Sequence, residues 1–524
     1  MLTKMRLTVF FCLLALQQLA WAGTGRYRLS YRDDPSTTMV IGWSGDNATV
    51  YYDTIDRGQN WQQYAQSRMV DRSVNHRGMN NYFVRLTGLR PGKVYYFVIK
   101  DNSGTGISRR LSFRTISDRP EDPISFISGG DSREGVWPVE TCNCRSVRQE
   151  GMRLVAKIRP DFIAFNGDYV INTPLLANGE WQEWMDDWQL TISPDGRMTP
   201  IIPSVGNHET EEDVFKLFDV PGQEIYYAIN FGTRLFRFYS LNSETDACTD
   251  TNQLNWFQND LQQHSTPSNT PYWKLMQYHI PMLPQAEYGT RNDMIQCWLP
   301  LLAQHGVRLV MESHAHVMKT TYPLVASSAP GNHAGFIRND SIGAVFIGDG
   351  SWGAPLRAPY TPFPTTKGTA AENGFFFVRV SMDTIHVQTV LIRTSTNVAQ
   401  LTDDEQGSGL PSGVTYWNNP GAETYIIRPR PVTTSIEAVP SVLPKAQLFP
   451  NPTQSEVTIQ FEKALTEEGV RIEIYDARGQ RCRSLNNITG QQYRLDVSDL
   501  CSGVNYVHIV GKKDVQALKL IIAR

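Results

Sequence analysis

At 524 residues, with 41% hydrophobic and 19% charged side chains, the chain has room for about three or four domains of ~100–200 residues and is too apolar for wholesale disorder. Its 49 basic and 52 acidic residues leave a net charge of −3, which argues against nucleic-acid backbone or anionic lipid as the main partner. The 39 glycines and 30 prolines are near average usage and exclude collagen-like and low-complexity chains.

Residues 1–22 read as an export signal. Lys4 and Arg6 precede an apolar run at 7–16, and Ala20-Trp21-Ala22 places small residues where a signal peptidase reads them. The run is shorter than the ~20 residues a membrane-spanning helix needs, and no later segment is apolar enough to span. The mature chain is therefore expected to begin near Gly23 and to work outside the cytoplasm. Of seven cysteines, Cys12 leaves with the signal, and Cys142, Cys144, Cys248, Cys297, Cys482 and Cys501 remain. In an oxidising compartment, disulfides or inert buried thiols suit these six better than metal ligation. Cys482 with Cys501 is one local pairing that the spacing allows, and connectivity stays open.

Residues 23–118 carry short alternating strands at 38–43, 48–52, 81–86 and 94–99, with a turn at Leu89-Arg90-Pro91-Gly92, and predict a β-sandwich. From 119 to 395, apolar runs at 124–128, 162–166, 201–205, 273–278 and 307–311 alternate with helical periodicity at 147–158, 253–263 and 294–304. That alternation predicts a layered α/β domain, with 343–348 and 374–393 adding strands to a second sheet. Trp181, Trp184 and Trp188 share a helix face, better suited to core packing than to roofing a cleft. The Gly348–Gly353 stretch follows a strand and reads as a further rim loop. His264 and His305 fall on predicted helices and read as structural. Residues 396–443, rich in Gly, Pro, Ser and Thr, read as a linker. Residues 444–524 return to short strands, at 457–461, 470–475, 493–497, 505–510 and 517–522, and predict a small second β-sandwich.

The chemistry sits where the α/β strands end. The five apolar runs are followed by Asp131, by Asp168, by Asn207-His208-Glu209, by His279, and by His314 and His316. Ligand sites form at the carboxyl ends of strands in such sheets, so these residues should converge on one rim. Imidazole, carboxylate and amide oxygen together suit Zn, Fe or Mn. A carboxylate can bridge two cations ~3.5–4 Å apart, which clamp both oxygens of an in-line phosphoryl displacement and carry its spreading charge.

This order of motifs resembles the calcineurin-like metallophosphoesterases and, with the preceding sandwich, their purple acid phosphatase branch. The 86–101 segment of that sandwich is similar to the closing strand pair of fibronectin type III domains. The resemblance implies a multidomain fold: a fibronectin III-like β-sandwich, an α/β/β/α metallophosphoesterase sandwich and a C-terminal β-sandwich. It also implies two divalent or trivalent metal ions. Asp131 and His316 would hold the first, Asn207, His279 and His314 the second, and Asp168 would bridge them. A hydroxide between the metals would attack phosphorus, and His208 would stabilise the transition state or protonate the leaving oxygen.

Three positions depart from the pattern. Arg133 stands where many relatives have histidine, Ile171 where purple acid phosphatases have a tyrosine ligand, and Ser313 where the Gly-His-x-His glycine falls. Tyr169 is out of register to replace the tyrosine, so the purple colour is expected to be absent. Arg133 is read in two ways, as a contact to substrate phosphate through its fork of donors or as a structural ion pair.

The tail carries Leu448-Phe449-Pro450-Asn451-Pro452, then residues 474–480, Leu495-Asp496-Val497-Ser498, Ser502-Gly503 and Lys519-Leu520. It resembles the C-terminal sorting domain of type IX secretion substrates. That implies a Gram-negative bacterium of the Bacteroidetes type, passage across the outer membrane, and often removal of the domain with surface attachment. The expected activity is that of a secreted or cell-surface metal-dependent phosphomonoesterase. A phosphodiesterase or nucleotidase is the alternative within enzymes, and a non-catalytic surface-binding protein with an impaired first metal site the alternative outside them.

Overall fold

The computed structural model of the chain describes residues 23–136, 140, 142–266, 268–348, 350–407, 409–417, 424–429, 443–465, 469–476, 480–511 and 515–524. The signal segment and Asp349 lie outside them. The chain forms two compact units that divide in sequence after Pro431.

In the first unit, residues that alternate along a strand point to opposite faces, and the sequence uses both faces. In the strand Phe236–Ser240, Phe236 and Phe238 enter one core while Tyr239 enters another; Leu275 and Met276 of Trp273–Gln277 divide the same way, as do Leu309 and Val310 of Val307–Met311. The first core lies between two sheets, where Phe126 and Phe162 meet Phe231, Phe236 and Phe238 at ring-centroid distances of 4.7–6.4 Å. The second core is closed by the helices Thr251–Gln263, Asn292–Cys297 and Leu299–His305, through Phe257, Leu261, Trp298 and Leu302. The single helix expected over 294–304 is two, broken at Trp298 with Pro300 in the first turn of the second, where proline fits because its missing N–H needs no partner. On the far face of the other sheet lie Cys144–Ile158 and Ala177–Trp188. Trp181, Trp184 and Trp188 are buried there against Phe165, Tyr169 and Phe218, and so are core rather than cleft.

The ten-stranded sheet runs, in order, Thr424–Ile427, Ile385–Leu391, Gly374–Val380, Ile124–Gly129, Phe162–Phe165, Ile201–Pro203, Thr24–Ser30, Met39–Gly45, Met79–Leu86, Arg72–His76. The first sheet of the N-terminal sandwich is thus continuous with the α/β sheet, joined where Ser30 pairs in parallel with Ile201. The sandwich's other sheet holds Gln66–Arg68, Ala48–Asp53, Val94–Asp101 and Leu111–Arg114. Two sequence expectations differ from this topology. The 374–393 hairpin belongs to the first sheet, where Phe376, Phe377 and Val378 pair antiparallel with Ser128, Ile127 and Phe126. Of the segment expected as a linker from 396, described residues up to Ile427 are packed: Val398 and Trp417 are buried, Leu401 N donates to Lys157 O, and Thr424–Ile427 adds an edge strand, while 430–442 lie outside the described residues. Widely spaced apolar anchors hold a stretch whose composition otherwise reads as loop.

The second unit packs Ala446–Phe449, Glu456–Leu465 and Gly490–Asp496 with Arg481–Leu485, Arg471–Asp476, Gly503–Val510 and Val515–Ile522 around Val457, Ile459, Ile472, Ile474, Val507, Ile509 and Leu520. Cys248 is bonded to Cys297 and Cys142 to Cys144. Cys482 and Cys501 are exposed and unbonded, against the pairing their spacing allows; Cys482 sits on the edge strand Arg481–Leu485, separated from Gly503–Val510 by Arg471–Asp476. Among the described residues no helix is long and apolar enough to cross a membrane.

The helix Glu211–Phe218 is clamped at both ends by the sandwich. Its capping box joins Thr210 and Asp213. The buried Asp213 also accepts from Arg77 at 2.7 Å and lies 2.7 Å from His76 Nε2. At the other end the buried Asp219, in left-handed conformation, accepts from Arg72, Arg85 and Arg32 at 2.7, 2.8 and 3.3 Å. Burial alone would raise the Asp213 carboxyl, but its bonds to His76 and Arg77 outweigh that and hold it below the usual carboxylate range. Breaking such a buried pair costs about 3–5 kcal/mol, the loss expected for Asp213→Asn in urea unfolding at pH 7. A depressed native pKa stabilises fully above the unfolded value near ~4 and is lost as pH falls toward the native one. The wild-type advantage over Asp213→Asn should therefore shrink on acidification below about pH 4.

Candidate metal centre

Ile124–Gly129, Phe162–Phe165 and Ile201–Pro203 are parallel neighbours in one sheet, as are Trp273–Gln277 and Val307–Met311 in the other, so their carboxyl ends share one rim. The loops that leave them are tied across strands: Asp131 N donates to Gly167 O at 3.0 Å, Ser132 N to Asp168 O at 2.9 Å, and Ser313 N to His279 O at 2.8 Å. Asp131, Asp168, His314 and His316 all sit at positive φ, 54°, 56°, 75° and 54°. Each such residue costs of order 1 kcal/mol or more, and such strain concentrates at functional sites. Gly350, φ +73°, lies against the centre, where an added Cβ would stand 1.5 Å from Asp131 Oδ2.

All six residues read as ligands meet here. Asp168, His279 and His314 form one group and Asp131, Asp168 and His316 another, each with its ligand atoms within 4.8 Å of one another, and Asp168 belongs to both. His279 Nε2 is 3.2 Å from Asp168 Oδ1 and 3.0 Å from Asn207 Oδ1; His314 Nδ1 is 2.8 Å from the same amide oxygen; His316 Nε2 is 3.2 Å from Asp131 Oδ1. Two rings are held from behind, His279 Nδ1 by Asn166 O and His316 Nδ1 by Pro355 O, both at 2.8 Å. This is the outer-shell arrangement that fixes the tautomer and leaves Nε2 to a metal. Asp131 Oδ1 is buried without a hydrogen-bond partner. An orphaned carboxylate oxygen facing an imidazole nitrogen, beside a shared second carboxylate, fits a pair of cations.

The electrostatics agree. Burial raises the Asp168 carboxyl, and the charge of Asp131 adds to the rise. Burial would also raise Asp131, but His316, His279 and His314 reverse it and hold that carboxyl below its usual range. Burial and repulsion from His279 lower His314 to about 3, so its ring is neutral. His279, despite burial, is pushed up to about 9 by Asp168 and Asp131.

His208 lies at the mouth, its Nδ1 3.0 Å from Ile171 O and its Nε2 3.7 Å from Asp168 Oδ2. Ile171 thus serves through its carbonyl. Tyr169 is buried with its hydroxyl donating to Ser204 O, so it is no ligand. Arg133 makes an ion pair, its Nη1 donating to Glu140 Oε2 at 3.0 Å and to Glu134 O at 2.8 Å, while its buried Nε has no partner.

Sequence reasoning missed three neighbours. Glu209 accepts from Gly206 N at 2.7 Å and Asp168 N at 2.8 Å, and burial together with the Asp168 charge pushes its carboxyl well up. Tyr288 packs against His314 with ring planes tilted by 45° and centroids 4.1 Å apart, and Arg357 lies over Tyr288 at 5.0 Å and reaches Glu140 at 3.7 Å. Tyr288 and Arg357 stand in irregular segments with no strand-end position to mark them; the Asn-His-Glu run signalled Glu209, but not its task of bracing the loop.

Comparison with known proteins accords with this geometry. Family models match at residues 25–115 (purple acid phosphatase, N-terminal domain), 147–318 (calcineurin-like phosphoesterase) and 447–523 (secretion system C-terminal sorting domain). The chain carries these three domains. Asp131 stands before the matched phosphoesterase segment and enters the site through Gly167 O. Purple acid phosphatase 15 of Arabidopsis thaliana is 23% identical over 332 residues, 56% of this chain and 59% of that protein. The chain thus spans about three-fifths of the length of the curated relatives it matches. The fold is shared with a purple acid phosphatase from yellow lupin (Lupinus luteus) seeds, at TM-score 0.59 and 13% identity over 78% of this chain and 74% of that one. It is shared also with PhoD, at TM-score 0.51 and 11% identity over 76% and 94%.

Because Gly350 leaves no room for a side chain against Asp131, Gly350→Ala is expected to lower the metal content of the full chain after loading and dialysis, read by elemental analysis against the wild type.

Proposed function

We propose that the chain is a secreted metal-dependent phosphoesterase acting foremost on phosphomonoesters, and that Asp131, Asp168, Asn207, His279, His314 and His316 hold two cations. One observation carries the reading: two carboxylate–imidazole groups share Asp168 at a buried rim. Two cations held there would supply the charge that clamps both oxygens of an in-line displacement. The chain's own residues do the rest. His208, oriented by Ile171 O, presents Nε2 at the mouth, where it can stabilise developing charge or hand a proton to the leaving oxygen. Arg133, set by Glu140 through Nη1, would offer its remaining N–H donors to a phosphate oxygen. Glu209 braces the Gly206 and Asp168 amides so that the bridging carboxylate keeps its place. The sorting domain marks the chain for a secretion machinery, and surface attachment after sorting is part of the proposal.

The test uses purified protein stripped of metal and reloaded separately with Mn, Zn or Fe. Hydrolysis of p-nitrophenyl phosphate should depend on metal, exceed that of bis-p-nitrophenyl phosphate, and vanish in Asp168→Asn. Preference for the diester would select the phosphodiesterase reading, and no turnover from folded protein under any metal would select the binding protein. His208→Ala should lower kcat by about 10²–10⁴ with metal content unchanged. Arg133→Ala, with metal retained, should raise KM, and unchanged kinetics would leave Arg133 as an ion-pair residue alone.

A further inference from the structure

The strands Val307–Met311 and Val345–Gly348 send their carboxyl ends to the metal centre; a cavity of about 520 Å³ opens at their amino ends. Five residues at ~3.3 Å each put it roughly 15 Å or more from the metal rim. The wall carries four cations, Arg308, Arg338, Lys367 and Arg428, against one carboxylate, Asp340. Asp340 is already engaged by Arg338, through paired contacts of 2.8 and 2.9 Å. Arg308 is buried and held in place, its Nη1 donating to Ser341 O at 2.7 Å. Lys367 has no carboxylate partner among the described residues; its Nζ rests 4.1 Å from the ring centroid of Tyr425. Arg428, exposed at the end of Thr424–Ile427, likewise has none among them. Burial, and then repulsion from Arg338, push the Lys367 ammonium down from its ordinary pKa.

Lys367 and Arg428, set beside further cations around a concave space and without a carboxylate partner among the described residues, raise the energy of the empty state, and a bound oxyanion relieves it. The volume is that of a small-molecule site and exceeds what a bare ion fills. We infer that this basin is an anion-binding site, separate from the metal centre, for a phosphate or sulfate group carried on a scaffold of sugar-phosphate size. The group can belong to a soluble ester or to a lipid headgroup, and Lys367 and Arg428 are the residues whose charge it neutralises. The inference stands apart from the reading of the metal centre, because it involves none of the same residues.

The experiment compares the full chain with Lys367→Gln/Arg428→Gln, using phenylphosphonate, which is not hydrolysed, in calorimetric titration at low salt. Binding at the metal centre would be equal in both proteins. The inference expects one further site in the wild type, weakened at least about tenfold in the double variant, with metal content unchanged. Co-sedimentation with phosphatidylglycerol or phosphatidylcholine vesicles separates the sources. Pelleting of the wild type alone, with phosphatidylglycerol alone, assigns a headgroup, and a titration difference without pelleting assigns a soluble ester. Arg428→Gln, at an exposed position, repeats both arms where the double variant misfolds. Identical isotherms and identical pelleting of variant and wild type overturn the inference.

Discussion

Two buried carboxylates, Asp131 and Asp168, face one site, with a third, Glu209, directly behind them. Among the described residues no lysine or arginine pairs with any of the three; the basic side chains nearest Asp131 and Asp168 are imidazoles. Burying like charges in this way is costly unless cations or protons compensate. The raised titration of Asp168, Glu209 and His279 expresses that cost. Two Asp/His groups gathered in this way suit a cation as the compensating charge.

Such a site also needs a frame that resists its own repulsion, and the fold supplies it from two directions. The strand-end loops are tied to one another by backbone hydrogen bonds and hold four site residues at positive φ. The N-terminal sandwich then grips the helix that begins directly after Asn207-His208-Glu209, through Asp213 at one end and Asp219 at the other. Since the sandwich sheet continues into the α/β sheet through Ser30 and Ile201, the sandwich braces the metal loop as part of one structure. The arginines that reach Asp219 come from the sandwich and the carboxylate from the α/β domain, so neither domain alone contains the clamp.

Around the mouth, charge is arranged more finely than in the core. Glu140 engages Arg133 and lies near Arg357, and Arg357 covers the tyrosine that packs against His314. The residue at the first departure from the family pattern is thereby built into a network of its own. The second departure, Ile171, is absorbed by using the main-chain carbonyl to orient His208, a task that any side chain at that position permits.

The sequence by itself determined the strand ends and what they carry. Apolar runs closed by Asp, Asn and His specify both a buried strand and a rim residue, and both are local properties. The three-domain order was equally local, written in periodicity and motif succession. What only the tertiary structure decided is long-range. The hairpin at 374–391 joined the first sheet rather than the second because its phenylalanines pair with the strand bearing Asp131. The Gly- and Pro-rich stretch from 396 packed because a few distant apolar residues found the core. Cys482 fell on an edge strand that another strand separates from the one following Cys501, which sequence spacing cannot register. Arg133 took Glu140, and Tyr288 and Arg357 came to the mouth, because loops far apart in the chain are adjacent in space. Composition and periodicity report on neighbours along the chain, whereas these outcomes depend on which surfaces the folded sheets bring together.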